Sequence, residues 1–381
     1  MYQISHFVGL SGIGGVQRNF VEYFNYQIKF DLENKFSHKV YTLGGVDCQY
    51  KLPVEVHDIR KLKNFFSLIL DIISRKKIVH FYNNLTSFKL AALLFFLPVY
   101  NIIFHERGAI WNFPRSRGML LRFIAWKSRL ILTNSNATKI MLEKKFNISS
   151  KKMRVLHNGI DISTKCTKKI KYNSSSSFRI GFLGRLDTPK GVHVLIEAMR
   201  HLVSENIELT IAGDGDLDDI LKKQAYGLNS VFFIGRIEEP YSFLSDIDLL
   251  VVPSIREPLG NVCLEAGLCK VPVLASNVDG IPEIIDNKIS GELIDLTVEV
   301  AADSLSSTIP LPEFVVDGTT NKLHAPKQID SFLLAKKILE LSFEYKKLDG
   351  YSDKLHDKVT TYFTIDRYAK ELHNIYDELN V

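Results

Sequence analysis

The stretch from residue 246 to 285 admits few folds. Asp248-Leu-Leu-Val-Val-Pro-Ser254 is an apolar run of the kind that sits buried in a sheet. A helical segment follows, starting near Gly260, and Val271-Pro-Val-Leu-Ala275 is a second apolar run. Strand, loop, helix and strand in that order make a crossover unit of a parallel sheet. Glu257 lies on the loop and Glu265 on the helix, with seven residues between them. Pro258, Leu259, Gly260 and Asn261 fill the approach to the helix. Two acids around one helix start can face the same crevice, outside the carboxyl ends of the strands, where open α/β sheets bind ligands.

The same alternation runs along the chain. Strand-like runs are expected at 2–8, 38–43, 78–81, 101–104, 129–133 and 154–156. After a polar stretch ending in four serines come 178–183, 208–212, 231–234, 248–252 and 271–275. Helical spacing fills the intervals, so the fold class is α/β, with two doubly wound parallel sheets. The expected domains are 1–165, a linker at 166–177, 178–360, and a C-terminal helix at 361–381 free to pack back on the first domain. Ile281-Pro-Glu-Ile-Ile-Asp286 is echoed by Leu311-Pro-Glu-Phe-Val-Val-Asp317, each followed by a polar turn and a helical run (301–307 and 329–343). A short duplication and a chance likeness of turn sequences both account for this.

Charge divides the halves. Residues 1–175 hold 28 Lys and Arg against 10 Asp and Glu, and the remainder holds 20 against 33. The first half therefore suits an acidic partner: nucleic acid, anionic lipid or a phosphorylated ligand. Two basic amphipathic helices are expected there, one from Arg60 to Lys77 and one from Arg115 to Arg129. Each is compatible with lying on a membrane interface and with packing on a core behind a solvated basic face. No recognition motif for nucleic acid accompanies the charge. Cys48, Cys166, Cys263 and Cys269 lack metal or disulfide spacing and read as reduced thiols. The N-terminus has no secretory pattern and the apolar run 90–97 is too short to span a bilayer, so a cytoplasmic protein is expected.

Three loops carry chemistry. Ser11-Gly-Ile-Gly-Gly15 precedes a helix, and Gly14 and Gly15 leave room for a phosphate or simply form a tight turn. Gly184-Arg-Leu-Asp-Thr-Pro-Lys-Gly191 joins a strand to a helix and offers Arg185 and Lys190 as a diphosphate clamp. Ala212-Gly-Asp-Gly215 is a sharp turn at the end of the next strand. Asp216-Leu-Asp218 has the letters of a metal motif but the position of a helix start, so no metal ligand is assigned.

In this order, these segments resemble the retaining glycosyltransferases of family four, which have the GT-B architecture of two facing Rossmann-like domains around a cleft. His105-Glu106, Asn134-Ser-Asn136, His157-Asn-Gly-Ile-Asp161, Pro253-Ser254 and Gly280-Ile-Pro-Glu283 complete the likeness, which spans nearly the whole chain. The resemblance implies a nucleotide-diphosphate-sugar donor and an acceptor glycan, lipid-linked or growing, of bacterial surface polysaccharide. It implies no cofactor and no metal. Arg185 and Lys190 would hold the donor diphosphate beside Gly184 and Gly215, and Glu257 the donor sugar. Backbone N–H groups of Leu259, Gly260 and Asn261 would face sugar and phosphate, and Glu265 the ribose. His105 would approach the sugar from the first domain, and Gly14 and Gly15 would admit the diphosphate or acceptor. His80, His157 and His193 read as structural. Arg107 is open between an anionic acceptor and a pair with Glu106. The implied location is cytoplasmic, peripheral on the inner face of the plasma membrane. A nucleotide-sugar 2-epimerase of the same architecture and an idle nucleotide-sugar-binding subunit are the rival readings. The segment 291–328 is longer than the family usually has.

Overall fold

The computed structural model describes residues 2–11, 14–29, 36–47, 51–164, 166, 177–300 and 308–379. The chain forms two compact units. One comprises Met1–Asp161 with Phe363–Val381, and the other Ile162–Tyr362.

The first unit runs β1 (Tyr2–Phe7), α1 (Gly15–Lys29), β2 (Phe36–Thr42), β3 (Val56–Asp58), α2 (Leu62–Ile72), β4 (Lys77–Tyr82), α3 (Phe88–Phe96), β5 (Ile102–Glu106), α4 (Gly118–Lys127), β6 (Leu130–Thr133), α5 (Asn136–Phe146) and β7 (Met153–Val155). Its sheet has the order β3-β2-β1-β4-β5-β6-β7, with every pairing parallel. The helices start where side chains can satisfy the open N–H groups. Ser135 accepts from Thr138 N–H at 3.0 Å before α5, and Ser87 accepts from Leu90 N–H at 3.2 Å before α3. Such caps contribute about 1 kcal/mol each.

The second unit runs β8 (Phe178–Leu183), α6 (Val192–Arg200), β9 (Ile207–Ala212), α7 (Asp218–Gln224), β10 (Val231–Gly235), α8 (Pro240–Ser245), β11 (Leu249–Val252), α9 (Asn261–Leu268), β12 (Val273–Ser276), α10 (Ile281–Ile284), β13 (Glu292–Ile294), β14 (Val298–Glu299), β15 (Val315–Val316), β16 (Leu323–His324), β17 (Lys327–Gln328), α11 (Ser331–Ser342) and α12 (Tyr345–Thr361). A six-stranded parallel sheet has the order β10-β9-β8-β11-β12-β13. The pairs β14–β17 and β15–β16 are small antiparallel additions. A last helix, α13 (Ile365–Leu379), belongs to the first unit, where it packs on α1. At the return point Ile160 N–H donates to the Phe363 carbonyl at 2.8 Å and its carbonyl accepts from Ile365 N–H at 2.9 Å.

Several expectations need adjusting. The basic helix expected from Arg60 to Lys77 is only Leu62–Ile72, because Lys77 already begins β4. That expected from Arg115 to Arg129 has its α-helical part at Gly118–Lys127. The two echoing segments share their turns, at 288–290 and 318–320, but diverge before them. Ile281–Ile284 is helical, whereas Val315–Val316 is a strand. The helical run expected at 301–307, most of the linker and Cys48 lie outside the described residues. The reduced-thiol expectation fails for one pair: Cys166 is joined to Cys269 with Cα atoms 5.0 Å apart. The two are 103 residues apart in sequence, and only the fold brings them together. Cys263 is a free, buried thiol.

Candidate active site

In the second sheet the chain proceeds outward from β8 through β9 to β10, then crosses back to place β11 on the other side of β8. The carboxyl ends of β8 and β11 therefore flank the switch point, the place where a doubly wound sheet leaves a crevice. The loop after β8 carries Gly184, Arg185 and Lys190, and the loop after β11 carries Glu257. They are tied together, since Ile255 N–H donates to the Pro189 carbonyl at 2.8 Å and Arg256 N–H to the same oxygen at 3.2 Å.

Lys190 Nζ donates to Glu257 Oε2 at 2.5 Å, and Ser254 Oγ lies 3.4 Å from the same oxygen. Arg185 is exposed, with Nη2 3.2 Å from Asp187 Oδ2. The Asp187 carboxyl is buried, and burial raises its pKa against the opposing pull of Lys190, Arg185 and Arg256. Arg256 is 9% exposed. Burial lowers its pKa, while Glu257, Asp279 and Asp187 favour its charged form. Three cations and three carboxylates thus converge at one end of the sheet.

The rest of the crevice is backbone. Gly260 precedes α9 at φ +100°, a conformation few other residues adopt, and turns the chain into Asn261 without a side-chain cap. Leu259 is buried. Glu265 lies farther along α9 and is partly buried. Gly215 sits against the Leu186 backbone, where an added Cβ would come within 2.5 Å of the Leu186 carbonyl oxygen. The turn 213–217 braces the Arg185 loop through Leu186 N–H to Asp214 O at 2.8 Å and Leu217 N–H to Leu186 O at 3.0 Å.

Gly184, Arg185, Lys190, Gly215, Glu257, Leu259, Gly260, Asn261 and Glu265 therefore all belong to the second unit, on the loops after β8, β9 and β11 and on α9. Gly14, Gly15 and His105 belong to the first. Gly14 is partly buried and Gly15 begins α1, after β1, which flanks the switch point of its own sheet. His105 faces the core of its own unit. It is fully buried in β5, its ring stacked 5.5 Å from His80 and 6.4 Å from Tyr368, because it faces the side of the sheet that α13 covers. Arg107 is not hydrogen-bonded to Glu106. Its guanidinium donates to Asn19 and Asn158, while Glu106 accepts from the N–H groups of Gly108 and Ile110. Sequence reasoning missed Arg256 and Asp279. Each is a lone charge, next to Glu257 and Gly280 respectively, with no spacing that marks it.

The description of group 1 glycosyl transferases matches residues 166–314, and that of glycosyltransferase family 4 matches residues 48–164. The chain belongs to the family 4 glycosyltransferases. An uncharacterised glycosyltransferase of Methanocaldococcus jannaschii is 34% identical over 182 residues, covering 44% of this chain and 47% of that protein. A Campylobacter jejuni enzyme, N-acetylgalactosamine-N,N'-diacetylbacillosaminyl-diphospho-undecaprenol 4-alpha-N-acetylgalactosaminyltransferase, is 29% identical over 184 residues, covering 47% of this chain and 50% of that one. The chain matches about half the length of these relatives. The structure of Anabaena HepE, solved with UDP and glucose, superposes with a TM-score of 0.74 at 18% identity, covering 99% of this chain and 100% of that one. That likeness establishes the GT-B fold of this family 4 member. No helix among the described residues is long and apolar enough to cross a membrane.

Proposed function

We propose that this family 4 protein transfers a sugar, with retention of configuration, from a nucleoside-diphosphate sugar to a lipid-linked or growing glycan. The observation that carries this reading is the Lys190–Glu257 pair at the switch point of the second sheet, beside Arg185. An arriving diphosphate offers Lys190 a stronger partner, and exchange of that partner releases the Glu257 carboxylate to accept hydroxyls of the donor sugar. Arg185 and Lys190 then offset the charge that builds on the diphosphate as the glycosidic bond breaks, work that preorganised cations do well. Side-chain cations in this role make the reaction independent of a metal ion. Glu265 takes the ribose hydroxyls. The N–H groups of Leu259, Gly260 and Asn261 face the sugar and phosphate, and Gly184 and Gly215 keep the neighbouring loops close. Gly14 and Gly15 leave backbone room for diphosphate or acceptor.

Glu257→Gln should mainly lower turnover and Glu265→Gln should mainly weaken nucleotide binding. Equal effects of both substitutions on both parameters would contradict the division. Activity unchanged by a chelator is expected, and its loss would remove the metal-independent part of the reading.

A lipid-linked acceptor is supported by the Campylobacter relative, whose name places its acceptor on diphospho-undecaprenol. It also fits the surface of the first unit. Leu62, Phe66 and Leu70 form an exposed stripe on α2, Phe88, Phe95 and Phe96 are exposed on α3, and Met119 and Trp126 on α4. Lys61, Lys63, Lys89, Arg117 and Arg122 lie among them in sequence. Aromatic and aliphatic side chains with lysine and arginine at their margins suit the interface of an anionic bilayer. Flotation with vesicles containing phosphatidylglycerol should recover the protein and fail in high salt. Equal recovery with neutral vesicles, or none with either, would remove the membrane from the proposal.

A further inference from the structure

The geometry points to Asp279 as a positioning residue that makes the β15–β16 hairpin part of the donor site. The inference rests on the proposed contact between Glu257 and the donor sugar. Asp279 is 3% exposed and adopts φ +49°, a left-handed conformation that aspartate tolerates better than most residues. Its two carboxylate oxygens are divided between two segments. Oδ2 accepts the N–H of Glu257 at 2.9 Å, and Oδ1 accepts the N–H of Val316 at 2.7 Å. The Asp279 N–H in turn donates to the Val316 carbonyl at 2.8 Å. The next residue completes the grip, because Gly280 N–H donates to the Glu257 carbonyl at 3.0 Å. Both backbone polar groups of Glu257 are thereby held by residues 279 and 280, and Asp279 is itself held by β15.

Packing leaves this arrangement little slack. A Cβ at Gly280 would come within 2.3 Å of the Pro258 carbonyl oxygen and 2.6 Å of Leu259 Cα, so only glycine allows the strip to press against the Glu257 loop. On the hairpin side, Val315 and Val316 are buried, and Val278 bridges to Asp317. Asp317 Oδ1 closes the hairpin turn by accepting the N–H groups of Thr319 at 3.0 Å and Thr320 at 2.6 Å. Arg256 lies among the same charges and draws on both Glu257 and Asp279 for its own compensation. The longer segment noted in the sequence therefore does not hang free of the site: through Val316 and Asp279 it fixes the backbone from which the Glu257 carboxylate projects.

The test compares Asp279→Asn and Val316→Pro with Glu257→Gln in the full chain. UDP-glucose is the donor probe and UDP the sugar-free probe. Asp279→Asn can accept only one of the two N–H groups without turning an amide against the other, and Val316→Pro removes one donor while leaving Asp279 in place. Both should lower kcat at least tenfold while UDP affinity stays within twofold, and the double variant should be no worse than the poorer single one. Retained UDP binding also shows that the second unit is folded. A Glu257→Gln defect with unaltered kcat in both hairpin-linked variants would overturn the positioning role and leave the donor reading standing. Comparable losses of UDP binding and turnover would also overturn it, by reducing Asp279 to a general structural part. Unimpaired Glu257→Gln would sink the donor reading itself.

Discussion

The two units share an architecture and bury different chemistry. In the second, strands β8, β9, β11 and β12 fill the core with Ile180, Leu209, Ile211, Leu249, Val251 and Leu274. Arg256, Asp187, Glu257 and Asp279 are buried where the β8 and β11 loops and the start of α10 meet, just beyond the sheet. In the first, polar rings lie inside the sheet face itself. His6 pairs with His80 and Tyr82 with His105 across neighbouring strands, and all four are at most 2% exposed. Tyr23 of α1 and Tyr368 and Tyr376 of α13 close over them. Only part of this polarity is paired: His6 Nε2 is 2.9 Å from His38 Nδ1, and His80 Nδ1 is 2.7 Å from the Tyr376 hydroxyl, whereas both ring nitrogens of His105 and the Tyr368 hydroxyl are buried with no hydrogen-bond partner among the described residues. The contrast separates two uses of buried polarity. Opposed charges at a sheet edge can be redistributed around a ligand, whereas neutral rings under a helix hold that helix in one place.

Acid should reveal the difference most strongly. Burial lowers the pKa of His6, His80 and His105 well below the ordinary value, and lowers that of His38 to about 3. The unfolded chain therefore binds more protons than the folded one below about pH 6.5, and stability is lost as the pH falls through that range. His38 alone accounts for on the order of 3 kcal/mol at pH 4. Glu106 opposes the trend, because burial raises its pKa to about 7 and the folded state gains a proton there first. His373 of α13 faces His38 and Tyr23, and Arg107 faces His80 and His105, adding to the cost of charging the rings. The balance favours acid loss of the first unit. Both tryptophans, Trp111 and Trp126, are in that unit, so tryptophan fluorescence reports on it alone. A fluorescence transition preceding the loss of far-ultraviolet ellipticity is expected between pH 6 and 4. A single joint transition would break the comparison.

Smaller perturbations sharpen it. Tyr376→Phe leaves His80 without its 2.7 Å partner and should cost about 1–3 kcal/mol, read as an earlier fluorescence transition in urea. Ile338→Val, in the aliphatic core of the second unit, should cost about 0.5–1.5 kcal/mol. Its effect should appear in ellipticity and leave the tryptophan midpoint where it was. A shift of the tryptophan midpoint by Ile338→Val would show that the two cores melt together.

Much of this was legible in the sequence because period and punctuation carry it. Apolar runs separated by helical spacing gave the strands of both parallel sheets to within a few residues, except Val56–Asp58 and Glu292–Ile294. Val56–Asp58, Glu292–Ile294 and the hairpin strands are too short to show a period. The loops bearing Arg185, Lys190 and Glu257 were visible because glycine and proline mark them. Asp279 and Arg256 were not, since their importance comes from strand order, which juxtaposes loops distant in sequence. The histidine row was hidden for the same reason. His6, His38, His80 and His105 each look like an isolated strand residue until the strand order brings their rings together on one face, with His6 directly opposite His80.

The central claim is that Lys190 and Glu257 at the switch point of the second sheet form the grip for a donor diphosphate. Thermal unfolding of the full chain with a panel of nucleoside-diphosphate sugars tests it most directly, with Lys190→Ala run alongside. Wild type should be stabilised by one member of the panel, by about 2.7 kcal/mol at a hundred times its Kd, and Lys190→Ala should lose most of that gain. Equal stabilisation of both proteins by the same sugar nucleotide would contradict the claim.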